Sequence, residues 1–324
     1  MAEVHGSKIK LFALSSSKKL GQEIADYIGI PLSDCESSRF ADGEVNINIP
    51  ETVRGYNVFI IQSTSFPVNE NYMELLIFID ALKRASARSI NVIMPYYGYS
   101  RQDRKAKSRQ PISAKLVADL LEAAGADRVV ACDLHAAQIQ GFYDIPIDNF
   151  EANPVLVHYF KKQKIEDIVI VSPDHGGTTR ARKFAINFDA PIAIMDKRRP
   201  KANVAEVLNI IGEVEGKNCI LVDDIVDTAG TISAAANALA NAGAKDIYVA
   251  CTHLIASGEA VQKIMESPIK MVVATNTIEL PEDRMCPKFL QLSIAKILGQ
   301  GILNIMDGKP ISTLFTYNAK EFDN

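Results

Sequence analysis

No two cysteines in this chain stand at metal-ligand spacing. Cys35, Cys132, Cys219, Cys251 and Cys286 are scattered, and no CxxC pair occurs among them. A zinc site is therefore not expected. Cys132, Cys219 and Cys251 sit in apolar runs such as Val129-Val130-Ala131-Cys132, so the five read as reduced, mostly buried thiols of a reducing compartment. There is no run of about 18 apolar residues, which removes a membrane span. Met1–Lys10 carries no apolar stretch long enough for a signal peptide, so the expected location is the cytoplasm. Nor is there an excess of positive charge: 35 Lys and Arg face 39 Asp and Glu, for a net charge of −4. That balance argues against nucleic acid as the partner, because such binding needs basic surfaces. No segment is low-complexity, and only the polar residues after Asn318 are expected to fray. What is present is the profile of a globular protein, 48% apolar and 23% charged over 324 residues. That length suits two domains of roughly 150 residues, large enough to bury a core without disulfides.

Short β-branched runs alternate with helical stretches nearly throughout. Strands are predicted at Val58–Gln62, Ile90–Met94, Arg128–Cys132, Ile168–Val171, Ile192–Met195, Cys219–Val222 and Ile247–Cys251. Several are apolar at successive positions, as in strands buried on both faces of a parallel sheet. Apolar residues at i, i+3 and i+4 predict helices over Asn71–Ala85, Ile112–Ala124 and Thr231–Ala242. The alternation implies an α/β architecture. Val58–Tyr99 and Cys219–Ser257 share one pattern of strand, loop, helix, turn, strand and loop. Two similar domains follow, joined near residue 150, where Pro146, Asn149, Asn153 and Pro154 concentrate turn formers.

The most specific stretch is Cys219-Ile-Leu-Val-Asp-Asp-Ile-Val-Asp-Thr-Ala-Gly-Thr231. An apolar strand runs into two carboxylates, then a small-residue loop, then a helix opening at Thr231. Small residues let a phosphate approach the backbone, and amides at a helix N-terminus point at it. Thr228 and Thr231 add hydroxyl donors, while Asp223 and Asp224, at the carboxyl end of the strand, can accept from sugar hydroxyls. Ligands of open α/β sheets sit there. The competing reading is a charged strand end followed by an ordinary helix cap. Asp196-Lys-Arg-Arg-Pro-Lys201 crowds cations that should hold a loop open until an anion arrives, unless it is a solvated turn. Tyr97-Gly-Tyr-Ser-Arg-Gln-Asp-Arg104 concentrates guanidinium groups, which suit polyphosphate.

The first of these segments resembles the phosphoribosyl diphosphate-binding loop shared by phosphoribosyltransferases and ribose-phosphate pyrophosphokinases. Other motifs, from about Lys8 to Phe315, follow the order of the bacterial-type, phosphate-activated pyrophosphokinases. The resemblance implies two phosphoribosyltransferase-like domains, each a mainly parallel sheet flanked by helices: 8–150 with the ATP motifs and 151–300 with the ribose 5-phosphate loop. Residues 301–324 would return to the first domain. It implies transfer of the diphosphoryl group of MgATP to the 1-hydroxyl of ribose 5-phosphate. By resemblance, ATP is held by Phe40, Asp42, Gly43 and Glu44 of Arg39-Phe-Ala-Asp-Gly-Glu44, and by Arg101 and Gln102. His135 of Asp133-Leu-His135 and Asp174 of Ser172-Pro-Asp-His-Gly-Gly177 become magnesium ligands. Ribose 5-phosphate falls to Asp223, Asp224, Asp227, Thr228, Ala229, Gly230 and Thr231, with Arg199. Lys197 and Arg199 become catalytic residues, closing over the reacting phosphates.

The same resemblance implies a homohexamer whose adenine site straddles two subunits. Inorganic phosphate would activate, and ADP would compete for its site, at Arg54, Ser312 and Phe315. The tail departs from the family there: Ser-x-Ser-x-x-Phe is replaced by Pro310-Ile-Ser-Thr-Leu-Phe315. Two rivals use similar parts. A phosphoribosyltransferase would not need both ATP motifs, and a pyrophosphokinase-associated regulator would typically have a disrupted catalytic loop.

Overall fold

The computed structural model describes residues 3–4, 6–198 and 207–319. Chain contacts divide these into two units. The first runs to Glu151 and includes Thr277–Glu279 and Ser293–Phe315; the second comprises Ala152–Asn276, Leu280–Leu292 and the residues from Thr316.

The first unit begins with β1 (Glu3–Val4), β2 (Ser7–Ala13) and α1 (Lys18–Ile28), then a hairpin of β3 (Glu36–Arg39) and β4 (Val45–Asn48). It continues through β5 (Asn57–Ile61), α2 (Val68–Arg84), β6 (Ser89–Met94), α3 (Ser113–Ala124), β7 (Arg128–Cys132) and β8 (Ile147–Phe150). The sheet order is β1-β2-β5-β6-β7-β8, parallel except at β1. From their second residue on, β5, β6 and β7 are buried at every position. Neighbouring side chains point to opposite faces, so both faces of the sheet are covered.

The second unit carries α4 (Asn153–Lys162), β9 (Ile168–Ser172), α5 (Thr178–Ile186), β10 (Ile192–Arg198), β11 (Val207–Ile211), β12 (Asn218–Val226) and α6 (Gly230–Asn241). Then come β13 (Ile247–Leu254), α7 (Ala260–Glu266), β14 (Ile269–Thr275) and β15 (Phe289–Leu292). Its sheet runs β11-β10-β9-β12-β13-β14-β15, antiparallel only at β11. The last helix, α8 (Ala295–Asp307), belongs to the first unit and packs on α1, where Tyr27 Oη donates to Gln300 Oε1 at 3.0 Å.

The two sheets follow one path: β2-β5-β6-β7-β8 in the first, β9-β12-β13-β14-β15 in the second. The repeat visible in the sequence, β5-α2-β6 and β12-α6-β13, occupies like positions in both. Three segments differ from their expected form. β12 runs on to Val226 because Ile225 and Val226 still pair with His253 and Leu254, which puts Asp223 and Asp224 inside the strand. β10 passes Met195 because β11 pairs with it as far as Arg198 opposite Val207. The polar stretch read as a linker holds an edge strand, β8. Its Asp148 ion-pairs with Arg128 of β7, and Asn149 Oδ1 accepts the Leu134 amide at 2.9 Å.

All five cysteines are free; Cys132, Cys219 and Cys251 are buried. Among the described residues, no helix is long and apolar enough to cross a membrane. The expectation for the residues after Asn318 falls largely on 320–324, which lie outside the described residues.

Candidate active site

In the second unit, the last residues of β12 set two carboxylates side by side. Asp224 is almost fully buried, while Asp223 keeps 22% of its side chain exposed. Arg180, in the first turn of α5, places Nη1 3.2 Å from Asp224 Oδ1 and 3.6 Å from Asp223 Oδ1. Asp223 Oδ1 also accepts the Asp224 amide at 2.9 Å. Desolvation, followed by the neighbouring carboxylate, pushes Asp223 up to about 8, with Arg180 pulling the other way. The pair thus retains a proton that an isolated carboxyl would have lost.

β12 hands over to the loop Asp227–Thr231. Asp227 is fixed by the Ser257 hydroxyl, which donates to its carboxylate, and by the Ser257 amide, which donates to its carbonyl at 3.1 Å. Ala229 is buried at φ 60°, left-handed for a residue with a side chain. It turns the chain into α6, whose first turn has no side-chain cap. First-turn amides of a helix lack intrahelical acceptors and favour an anion. A Cβ built on Gly230 would meet only Thr228 Oγ1, at 4.0 Å. The glycine therefore keeps open a space that the protein's own packing does not fill.

Asp174 lies in the turn between β9 and α5. Its Oδ1 accepts the Gly177 amide at 2.9 Å, and its carbonyl accepts from Ser172 Oγ at 2.6 Å. The next residue, His175, places Nε2 3.0 Å from Asp196 Oδ1 on β10. Lys197 follows in β10, its backbone opposite Leu208. Arg199 lies outside the described residues.

In the first unit, Phe40, Asp42, Gly43 and Glu44 form the tip of the β3–β4 hairpin. The Phe40 amide donates to the Glu44 carbonyl at 2.8 Å, and the Glu44 amide to Asp42 Oδ1 at 3.1 Å. Phe40 is 55% exposed, so much of its ring faces away from the protein's own core. Arg39, beside it, lies 3.6 Å from Glu70. Glu70 lines a cavity of about 470 Å³ whose wall also includes Tyr99, Arg101 and Gln102. Gly98 in that wall has no room for a side chain, since a Cβ would come 2.4 Å from the Thr64 carbonyl. Asp103 Oδ2 accepts from Gln138 Nε2 at 2.6 Å, tying the Arg101–Gln102 loop to the turn that follows exposed His135. Arg54 donates from Nη1 to Ser86 Oγ at 3.0 Å, and Phe315, three residues past Ser312, packs its ring on Phe150 with centroids 5.4 Å apart.

Arg180 and His175 escaped sequence reasoning. Each sits in a stretch with a motif of its own, and its partner is 20 or more positions away, so only the parallel register of β9 with β10 and β12 reveals the pairing. Among the described residues, no three His, Cys, Asp or Glu side chains converge as a metal cage. Such a cage is not what magnesium requires. It takes one or two protein ligands and completes its shell with water and substrate phosphates.

Comparison with known proteins agrees with this geometry. Residues 9–125 match the N-terminal domain of ribose phosphate pyrophosphokinase, and 192–316 match a phosphoribosyl synthetase-associated domain. A ribose-phosphate pyrophosphokinase of Bacillus caldolyticus is 61% identical over 308 residues, covering 95% of this chain and 98% of the relative. That of Bacillus subtilis is 58% identical over 317 residues, covering 98% and 100%. The crystal structure of phosphoribosylpyrophosphate synthetase from Mycobacterium smegmatis superposes with a TM-score of 0.89 at 41% identity, covering 93% of this chain and 100% of the other. With near-complete coverage at such identity, the chain belongs to the ribose-phosphate pyrophosphokinase family.

Proposed function

We propose that the chain makes phosphoribosyl diphosphate from ribose 5-phosphate and MgATP, moving the β,γ-diphosphoryl group of ATP to the ribose 1-hydroxyl and releasing AMP. The observation that carries this is the near-full-length match to pyrophosphokinases at about 60% identity, 61% for one of them. Both ATP motifs and the ribose loop occur in this one chain.

On this reading, residues 8–150 supply the nucleotide motifs and 151–300 the sugar-phosphate loop, while the tail from 301 returns to the first domain, to which it belongs as far as Phe315. Asp223 and Asp224 accept from ribose hydroxyls, and the amides and hydroxyls of Asp227–Thr231 take the 5-phosphate. Phe40 stacks on adenine, with Asp42, Gly43 and Glu44 beside it, while Arg101 and Gln102 hold the ATP. His135 and Asp174 would hold magnesium, which when bound would act as a Lewis acid and offset phosphate charge. The 1-hydroxyl attacks the β-phosphorus in line. Covalent work by the protein is slight, so rate comes from positioning and charge. Arg101, Lys197 and Arg199 neutralise charge growing on the bridging and equatorial oxygens. The enzyme works in the cytoplasm as a homohexamer, with Arg54, Ser312 and Phe315 in a site for activating phosphate and competing ADP.

The test is incubation with ATP, ribose 5-phosphate and magnesium, with products identified by phosphorus NMR. AMP and phosphoribosyl diphosphate should appear in equal amounts, and only with divalent metal. ADP with a monophosphorylated sugar would refute the reaction. A requirement for a free base in place of ATP would point to a phosphoribosyltransferase.

A further inference from the structure

The β10–β11 hairpin extends past the sheet that roots it. Backbone pairing of β10 with its body-side neighbour β9 reaches Ile194, opposite Ser172. Pairing with β11 continues four residues further, to Arg198 opposite Val207. Residues 195–198 are therefore an arm, and the arm carries Lys197.

Beside its root stands the turn after β9. That turn is braced three ways. Ser172 Oγ donates to the Asp174 carbonyl at 2.6 Å, the Gly177 amide to Asp174 Oδ1 at 2.9 Å, and Thr178 Oγ1 to the His175 carbonyl at 2.9 Å. From this rigid base His175 leans across, with Nε2 3.0 Å from Asp196 Oδ1. The imidazole is 64% exposed and the carboxylate 14%. Asp196 is the residue immediately before Lys197. A surface pair of this kind adds little to global stability, so its position at the root of a projecting arm calls for another role.

We propose that His175 and Asp196 are a pair of positioning residues. Their hydrogen bond continues the β9–β10 seam where backbone pairing stops, and it fixes the arm's root against the turn that carries Asp174. The backbone course of the arm through Lys197 is thereby set before substrate arrives. The inference rests on the reading of Lys197 as catalytic and adds to it the part that aims the lysine. Small errors of aim at a reacting centre are expensive in rate: a misplacement of about 1 Å can lower turnover by about a hundredfold.

The test is a double-mutant cycle on the full-length enzyme: His175→Ala, Asp196→Ala, both together, and Asp196→Asn, with Lys197→Ala assayed alongside. Each single alanine should lower kcat about ten- to a hundred-fold, while the Michaelis constants for ATP and ribose 5-phosphate and the magnesium requirement stay unchanged. The double variant should be no slower than the slower single one, because one bond is lost in all three. Asp196→Asn keeps an acceptor oxygen and should retain most of the native kcat. Independent, multiplying losses, or an unchanged kcat in the singles while Lys197→Ala is slow, would overturn the pairing. A raised magnesium requirement in His175→Ala would overturn it too, by assigning the histidine to Asp174 and its metal. If Lys197→Ala itself turned over normally, the catalytic reading of the arm would fall, and this inference with it.

Discussion

At the scale of single residues, the site is governed by how two adjacent acids are tolerated. Asp223 and Asp224 sit near the end of a buried strand, and among the described residues Arg180 is a cation that reaches both. The acids were legible in the sequence because charge after an apolar run is rare. The arginine was not, since its 43-residue separation becomes contact only through the β9–β12 register. Asp223 is raised well above an ordinary carboxyl, chiefly by desolvation. Between the unfolded value of about 4 and the folded value of about 8, the native state therefore binds more protons than the unfolded chain. Stability must fall as pH rises through that window, and level off above it. Melting temperatures of the native chain and Asp223→Asn, taken at about pH 5.5 and about pH 8.5, should show a steeper decline for the native chain. Parallel declines would mean that the pair carries no such proton.

Elements were read well in their middles and poorly at their ends. The strand predicted at Arg128–Cys132 is found with those bounds. β10 and β12 instead continue into charged residues, because a neighbouring strand goes on offering partners. No local pattern encodes that. β8 was hidden for a related reason: an edge strand tolerates Asp148 and Asn149 when each finds a partner, and the segment then looks like a linker. The loop into α6 carries small residues and hydroxyls that the sequence shows directly. Its glycine also gives a test in which stability and binding move apart. Gly230 opens the helix, where Ala is better by roughly 0.5–1 kcal/mol, and a Cβ there meets nothing closer than 4.0 Å. Gly230→Ala should fold at least as well as the native chain. The methyl group would nonetheless stand where the 5-phosphate must approach the amides. Losing one hydrogen bond to a charged oxygen is worth about 1.5–3 kcal/mol, so the Michaelis constant for ribose 5-phosphate should rise roughly ten- to a hundred-fold. An unchanged constant would place the phosphate elsewhere.

At the scale of the whole molecule, the repeat seen in the sequence becomes two sheets laid out along one path. The same β-loop-α step is put to two uses. In the second unit it ends in an open small-residue loop. In the first, Gln62–Ser65 of its counterpart after β5 are buried and tied to side chains of neighbouring segments, the Ser63 amide donating to Ser17 Oγ and Asn71 Nδ2 to the Ser65 carbonyl, each at 2.9 Å. Regulation belongs to this scale as well, because the proposed phosphate site combines Arg54 with the tail residues Ser312 and Phe315, far apart in the sequence. Pro310 stands where the family pattern has a serine, and proline offers neither a hydroxyl nor a backbone N–H. The tail's local anchor does not depend on that side chain: Asn304 Nδ2 donates to the Pro310 carbonyl at 2.8 Å, and Phe315 packs on Phe150. Pro310→Ser should therefore leave the tail in place and change only the donor set. With one charged hydrogen bond missing, the native chain should need roughly ten- to a hundred-fold more phosphate for half-activation than the serine variant. Remaining arginine charge keeps the response from vanishing. Activity measured against phosphate concentration for both proteins decides the matter, and equal half-activating concentrations would show that the serine hydroxyl is not part of the phosphate site in this chain.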